Sequence, residues 1–293
     1  MNLVTTVAEI TAPAFLLAVV GFVWVRLKLD YPVAFITRLV MNVAIPALIF
    51  SALVKTELSP NAMAQTALAA ILCYVAVSVL AFGLVKFLGL EIRDYAAPLA
   101  YGNTGNLGLP LALFAFGNQG LELALVVFAI SGIFTFTIGV WLTSGISSPA
   151  RLLREPMIVA TFAGSVFLWW DWDIPVVAIR SLDLAGQLSI PLMLITLGVA
   201  IARLNIGNLT RAFYLSIGKW LLCFVTAWAI GRLFGLSQVA FGVLVLQLCT
   251  PVAVTSYLLA EKYGADSQAV AGLVLVSTLI SVITLPLTLA FLI

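Results

Sequence analysis

The chain has 293 residues, of which 63% are hydrophobic and only 9% are charged, with a formal net charge of +2. Soluble globular domains are about one quarter charged, so this composition excludes an ordinary water-soluble fold and indicates an integral membrane protein. The small net charge gives no reason to expect nucleic acid as a partner. The sequence contains no histidine, which excludes imidazole metal ligands and Ser-His-Asp triads. We therefore expect no metal, no cofactor and no enzymatic activity.

The apolar segments of the chain have the length of membrane-spanning helices. A bilayer core of about 30 Å needs about 20 apolar residues per helix. This window predicts ten spans, at residues 7–25, 32–54, 62–88, 94–116, 121–144, 156–170, 175–201, 211–235, 238–260 and 267–292. The first segment carries Glu9 and no basic run, so we interpret it as a retained span and not as a cleaved signal peptide.

Basic residues in the predicted connections gather on one side of the membrane. They are Arg26, Lys28, Lys86, Arg93, Arg151, Arg154, Arg203, Arg211 and Lys262. The other side keeps Lys55 and Arg232, together with Asp171 and Asp173. Because basic loops stay in the cytoplasm, we expect a multi-pass protein of the cell (inner) membrane with both termini extracytoplasmic.

The two halves of the chain carry the same landmarks in the same order. Pro13 and Pro156, Gly21 and Gly164, Asp30 and Asp173, and Pro32 and Pro175 are each 143 residues apart. The series continues with Asn42–Pro46 and Gln187–Pro191, then with Gly117 and Gly264, and with Ser131 and Ser277. Each half has five predicted spans, an odd number, so the halves must cross the membrane in opposite directions. The pattern predicts an inverted repeat, with repeats at 1–144 and 156–293 and a cytoplasmic loop at 145–155.

Helix-breaking residues interrupt the fourth predicted span at Gly102–Leu111, whose sequence is GNTGNLGLPL. Glycine costs about 1 kcal/mol and proline about 3 kcal/mol relative to alanine inside a helix. In hydrocarbon, freed backbone groups find partners only within protein or along a water-filled cavity. Transporters bind their substrates at such breaks, so the segment predicts a substrate site. The alternative is a kinked helix that packs through small residues.

The ninth predicted span has a matching break at Gln247–Ser256, with the sequence QLCTPVAVTS. Proline is favoured at the first position of a helix, so we expect Pro110 and Pro251 each to open the second half of their span. Two positive helix ends would then face the centre of the bilayer and suit an anion. The candidate substrate-binding residues are Asn103, Asn106, Gly108, Pro110, Thr250, Pro251, Thr255 and Lys219.

Several other polar residues lie within the spans. Lys219 is about 12 Å along the eighth span, close to the centre of the bilayer, where it could meet a bound carboxylate or hold a neighbouring helix through its carbonyl groups. Arg180 and Asp183 are three residues apart, and we expect them to form a structural ion pair. Ser131 with Thr135, and Ser277 with Ser281, share an i, i+4 spacing that suits either helix packing or a cavity wall.

At these residues the chain resembles the auxin efflux carrier family, which includes plant PIN-type exporters and bacterial malonate-type carboxylate carriers. The segments that carry the resemblance are Gly102–Leu111, Asn42–Phe50 and Thr250–Ala253, and it extends over essentially the whole chain. It implies an all-α polytopic membrane protein of ten transmembrane helices, in two inverted five-helix repeats with crossed broken helices 4 and 9, as in bile-acid sodium symporters. It also implies a scaffold of spans 1, 2, 6 and 7, a mobile domain of the other six, elevator-type alternating access and a homodimer.

The function that this resemblance implies is secondary active transport of small organic anions, such as malonate, malate or auxin-like acids. The short central connection favours the compact prokaryotic branch, since plant members carry long hydrophilic loops there. A sodium-coupled bile-acid-type symporter and a non-transporting membrane sensor are the alternatives. Both breaks lack Asp and Glu, which argues against strong sodium coordination, while proton or sodium coupling stays open. The expected partners are the substrate anion, the lipid bilayer and a second copy of the chain.

Overall fold

The computed structural model describes residues 3–56, 58–145, 156–170, 172, 174–203 and 208–292. Helical segments fall within each of the ten predicted ranges. They are α1 (Leu3–Arg26), α2 (Val33–Val54), α3 (Pro60–Phe87), α4 (Ile92–Ala100), α5 (104–116), α6 (118–144), α7 (Pro156–Trp170), α8 (Val176–Arg203), α9 (Leu209–Leu233), α10 (Gln238–Leu248), α11 (Val254–Tyr263) and α12 (Ser267–Leu292). Arg151, Arg154, Asp171, Asp173 and most of the predicted central loop lie outside the described residues.

Within the described part of the chain, seven helical stretches are long and apolar enough to cross a membrane. One of them, Thr104–Ser144, contains Gly117 at φ 66° and ψ −157°, which ends α5 and lets α6 leave in a new direction. Only glycine adopts that backbone conformation without strain. The helices α7 and α10 are shorter and equally apolar. The protein is therefore a polytopic helical membrane protein.

Two of the long helices are interrupted just before a proline. In α2 a π-helical turn at Val40–Ala44 precedes Pro46, and in α8 the helix is broken at Leu188, three residues before Pro191. Proline has no N–H and its ring displaces the carbonyl four residues earlier, so the regular hydrogen-bond ladder cannot pass through it. Asn42 and Gln187 lie in these two irregular turns.

Glycines allow α1 to lie directly against the C-terminal half of α8. A Cβ atom at Gly198 would overlap the carbonyl of Ala18, and one at Gly21 would overlap the carbonyl of Ile195. Small residues let helix backbones approach in a membrane, where van der Waals contact replaces the hydrophobic effect as the force between helices. The contact between α1 and α8 therefore depends on a glycine from each helix.

The expected ion pair between Arg180 and Asp183 is wrong. Asp183 forms its ion pair with Lys55, which follows the C-terminal end of α2, and Arg180 is exposed. The packing of α2 against α8 brings the Lys55 ammonium to the carboxylate, and the spacing of residues along α8 alone does not show this. The pair fixes the end of α2 to α8.

We expect Gly198→Ala to lower the apparent melting temperature of the purified protein, because the added methyl group overlaps backbone atoms and such overpacking costs about 1–3 kcal/mol. Gly218→Ala is the matched control, since Gly218 has nothing within 4 Å of its Cβ position. There the higher helix propensity of alanine should leave the melting temperature unchanged or raise it. Equal effects of the two substitutions in a detergent melting assay would contradict this packing.

Candidate functional site

The first break separates α4 from α5. The helix α4 ends at Ala100, and α5 begins with a π-helical turn at Thr104–Gly108. Asn103 is the N-cap of α5, and its Oδ1 accepts a hydrogen bond from the backbone N–H of Asn106 at 3.3 Å. The expectation that Pro110 opens this half holds only for its regular α-helix, which begins at Leu109 with Pro110 at the second position; the π-helical turn that Asn103 caps comes before it. Pro110 lies six residues inside the helical segment.

The second break separates α10 from α11. The helix α10 ends at Leu248, and α11 begins at Val254 with Ala253 as its N-cap in an extended conformation. Pro251 lies between the two halves, so the expectation that it opens α11 is wrong. A helix that began at Pro251 would remove the extended backbone through which this break contacts the first one.

The two breaks meet and form hydrogen bonds to each other. Gly102 and Val252 form an isolated antiparallel bridge, in which the N–H of Asn103 donates to the carbonyl of Pro251 at 2.7 Å. A Cβ atom at Gly102 would overlap the side chain and the carbonyl of Thr250, so only glycine fits here. Backbone groups that leave the helical ladder at this depth thus find partners in the other break. We call this pair of breaks the crossing.

Two serines hold the crossing from neighbouring helices. Thr104 donates a hydrogen bond to Ser131 on α6 at 3.3 Å, and Ser277 on α12 accepts one from the N–H of Val252 at 3.0 Å. These two serines are 146 residues apart in the sequence. Each break therefore has one serine hydroxyl bonded to it from a neighbouring helix.

A cavity of about 300 Å³ lies beside the crossing, and the N-termini of both α5 and α11 line it. The residues from these two helix starts are Asn103, Thr104, Gly105, Asn106, Ala253, Val254 and Thr255. Asn103 is only 5% exposed, and its Nδ2 has no hydrogen-bond partner in the described part of the chain. The remaining wall is mostly apolar and includes Phe128, Met157 and Met193.

The electrostatics of this cavity favour an anion. The first N–H groups of a helix have no partner within the helix, and each N-terminus carries about half a positive charge. Two such ends border the same cavity, and the unpaired amide group of Asn103 is buried beside it. Among the described residues that line it, Arg203 is the only charged one and none is acidic. A negatively charged group would be stabilised at the helix ends, and a carbon skeleton would contact the apolar wall.

A family model described as "Membrane transport protein" matches residues 6–146 and 140–289. The chain belongs to this family, the auxin efflux carriers. It is 25% identical over 307 residues to a protein of Rhizobium meliloti named "Putative malonate transporter", with 94% of each chain covered. It is 24% identical over 266 residues to a protein of Methanothermobacter thermautotrophicus named "Uncharacterized transporter", with 86% of each covered. The resemblance found in the sequence is confirmed, and the protein is a membrane transporter.

Of the eight residues predicted for this carrier-family site, three line the cavity: Asn103, Asn106 and Thr255. Gly108 and Pro110 do not line it. Gly108 packs against the side chain of Gln247, where a Cβ atom would overlap the carboxamide, and Pro110 is buried in α5.

The other three predicted residues are Thr250, Pro251 and Lys219, which line a separate cavity of about 10 Å³. The Lys219 Nζ donates to the Thr250 carbonyl at 2.8 Å. This is the carbonyl contact that the sequence offered as the alternative to a contact with a bound carboxylate.

Sequence reasoning missed the side of the cavity that α8 supplies. Met193, Thr196 and Arg203 line it, with Arg203 exposed and its guanidinium bonded to the carbonyl of Tyr31 at 3.0 Å. The sequence identifies Arg203 only as a basic residue of a predicted cytoplasmic connection. The spacing along α8 gives no signal for these residues, because it is the packing of α8 near the crossing that brings them to the cavity.

We expect Ser277→Ala to destabilise the crossing, because the buried N–H of Val252 would lose its acceptor at a cost of about 1–3 kcal/mol. Ser281→Ala is the matched control on the same helix, since the Ser281 hydroxyl donates to the carbonyl of Thr278 within α12. Thermal melting in detergent should show a clear decrease for Ser277→Ala and a small one for Ser281→Ala. The reverse order would show that Ser277 does not hold the break.

Proposed function

We propose that the protein is a secondary active transporter of small organic anions that binds its substrate at the crossing. The observation that carries this proposal is the convergence of two helix N-termini on one cavity, beside the buried and unpartnered Nδ2 of Asn103. No acidic side chain among the described residues borders that cavity, so no negative side chain there would repel a bound carboxylate. Family membership supports transport as the activity, and the cavity supports a negatively charged substrate.

The substrate class that we propose is a short mono- or dicarboxylate, such as malonate or malate. Binding sites for small molecules range from about 300 to 1,000 Å³, and this cavity lies at the lower end. The polar groups of Asn103 and Thr255 would orient one carboxylate, and Arg203 would attract anions at the edge of the cavity. The relative in Rhizobium meliloti named as a malonate transporter supports this choice.

We further propose ten membrane crossings in two inverted repeats, at 1–144 and 156–293, joined by a cytoplasmic loop at 145–155. In this arrangement α4 with α5 forms the fourth span, and α10 with α11 forms the ninth. Gly117 and Gly264, which correspond in the two halves, both have φ 66° and each ends the second half of a broken span. The charge distribution supports the cell (inner) membrane as the location, with both termini extracytoplasmic.

The two large cavities support an elevator mechanism. The 300 Å³ cavity reaches Ile45 on α2, and a polar cavity of about 820 Å³ begins at Leu48, less than one helical turn further along. A shift of the crossing along α2 would move a bound anion from one cavity toward the other. Such a shift must break the hydrogen bond from Thr56, after α2, to Glu122 on α6. We also propose that α2 and α8 belong to a scaffold. This scaffold would pair with that of a second copy of the chain.

Uptake of labelled malonate, malate and indole-3-acetate into proteoliposomes tests this function. We expect saturable uptake of at least one short carboxylate, and competition among those that bind the same cavity. An imposed pH gradient in parallel samples tests proton coupling. Absence of uptake of all three acids by folded, inserted protein would contradict the proposal and favour a sensor role.

Asn103 allows the cap and the donor to be tested separately. Asn103→Asp keeps an acceptor for the N–H of Asn106, so the melting temperature should stay close to that of the wild type. It replaces the amide donor with a carboxylate, and the KM for malonate should rise about tenfold or more, a loss of at least about 1.4 kcal/mol. Asn103→Ala should lose the donor and, in addition, about 1 kcal/mol of helix stability.

Asn118→Asp serves as the control for added charge, because Asn118 lines the 820 Å³ cavity. It should change the KM for malonate much less than Asn103→Asp does. An unchanged KM in Asn103→Asp would place the substrate elsewhere.

A further inference from the structure

One face of α8 follows the 300 Å³ cavity along its length. Met193, Thr196, Ala200 and Arg203 line the cavity, and all four lie in the unbroken helical segment Ser189–Arg203. Residues at successive spacings of three and four share one face of a helix. At a rise of 1.5 Å per residue, Met193 and Arg203 are about 15 Å apart along the axis of α8. The cavity therefore has two ends, with Met193 at one and Arg203 at the other.

The end marked by Met193 lies at the crossing. A Cβ atom at Gly105, in the first turn of α5, would lie 3.3 Å from the Met193 Cε. The start of α11 borders the cavity as well, through Val254 and Thr255. Two helix N-termini together carry roughly one unit of positive charge. This end therefore suits one carboxylate group.

Arg203 brings a second positive charge to the far end of the cavity. Its Nη2 donates to the carbonyl of Tyr31 at 3.0 Å, and the Tyr31 hydroxyl shares a hydrogen bond of 2.8 Å with the hydroxyl of Thr196. Tyr31, just before α2, thus binds α8 at two of the four positions that line the cavity. These contacts hold the arginine at the cavity wall before any ligand binds.

The Arg203 guanidinium keeps donors for a ligand. A guanidinium has five N–H groups, and the Tyr31 carbonyl accepts one of them. The salt bridge found among the described residues joins Lys55 to Asp183, so Arg203 pairs with no carboxylate in that part of the chain. Arginine binds carboxylates through two parallel hydrogen bonds, which a lysine cannot match. The remaining donors fit a carboxylate that comes with the ligand.

The wall between the two ends is apolar. Val40 and Met41 on α2, Met157 on α7 and Ala200 on α8 line it, and no acidic side chain does so among the described residues. A ligand that reached both ends would lay its carbon chain against these side chains. The cavity thus offers positive charge at each end and an apolar surface between them.

We propose that Arg203 is a specificity-determining residue, whose guanidinium binds the second carboxylate of a dicarboxylate. The first carboxylate lies at the helix starts of the crossing, and the carbon chain lies along the apolar wall. A monocarboxylate of the same length leaves the guanidinium without a partner, so the site selects dicarboxylates. This inference deepens the proposed transport function and rests on it.

Ligand-induced shifts in the melting temperature of the full-length protein in detergent measure this preference without transport. The ligands form three pairs of equal carbon number: malonate with propionate, succinate with butyrate, and glutarate with valerate, at about pH 8, where carboxyl groups are ionised. In at least one pair, the wild type should bind the dicarboxylate about tenfold more tightly. Arg203→Gln should remove this preference by weakening the dicarboxylate, with little change for the monocarboxylate.

Two further variants separate the role of Arg203 from general effects. Arg203→Lys keeps the charge without the fork of donors, so it should retain part of the preference. Arg180→Gln removes an exposed arginine of α8 that lines neither large cavity, and it should bind both acids as the wild type does.

Three results would overturn the proposal. Equal binding of both acids of every pair by the wild type would do so without any variant. A preference that persists in Arg203→Gln would show that another group binds the second carboxylate. A loss in Arg203→Lys as large as that in Arg203→Gln would show that the positive charge has no part in the selection.

Uptake into proteoliposomes separates this inference from the proposed function. If the wild type transports one of these acids, the unlabelled dicarboxylate should inhibit that uptake more strongly than its paired monocarboxylate, and Arg203→Gln should abolish the difference. Equal inhibition by the two acids in the wild type would overturn the inference and leave the transport function standing. If folded wild type neither binds nor transports any of the acids, the proposed function fails and the inference fails with it.

Discussion

The structure depends on one constraint, which is that backbone N–H and C=O groups freed at the centre of a membrane must find partners in the protein. Two helical segments are interrupted where they meet, and each break would be costly alone in hydrocarbon. The bridge between Gly102 and Val252, with the Ser277 and Ser131 hydroxyls, satisfies groups from both breaks together. The free helix ends that remain are then available to a ligand.

The crossing also separates charge. On one side, the N-termini of α5 and α11 present partial positive charge to a cavity without acidic side chains. On the other side, the C-terminal end of α10 presents partial negative charge, and Lys219 stands against it. In the proposed account, the helix starts bind the anion, while the one buried cation of the described residues lies at the second break in a separate cavity.

Hydropathy and helix-breaking residues predicted much of this, because both depend on the chain's local chemistry. The helix positions followed from the apolar windows, and both breaks followed from clustered Gly, Asn and Pro. Local chemistry did not show which residue starts each half. The first half begins after the Asn103 cap and not at Pro110, and Pro251 precedes the second half, in the segment that bonds to the other break. The packing of helices distant in sequence determines three other features. They are the ion pair of Asp183, the glycine contacts between α1 and α8, and the place of Met193 and Arg203 in the cavity wall. Spacing along one helix carries no information about that packing.

The most direct test of the central claim is protection of an introduced cysteine by substrate. Leu258→Cys places a thiol on an exposed wall position of the 300 Å³ cavity, and Asn118→Cys places one in the 820 Å³ cavity. The native cysteines Cys73, Cys223 and Cys249 are all buried, so a polar thiol reagent should label the introduced thiols selectively. The account predicts that malonate slows labelling of Leu258→Cys and leaves Asn118→Cys unaffected in detergent-solubilised protein. Labelling of Leu258→Cys that does not change at saturating malonate would contradict an anion site at the crossing.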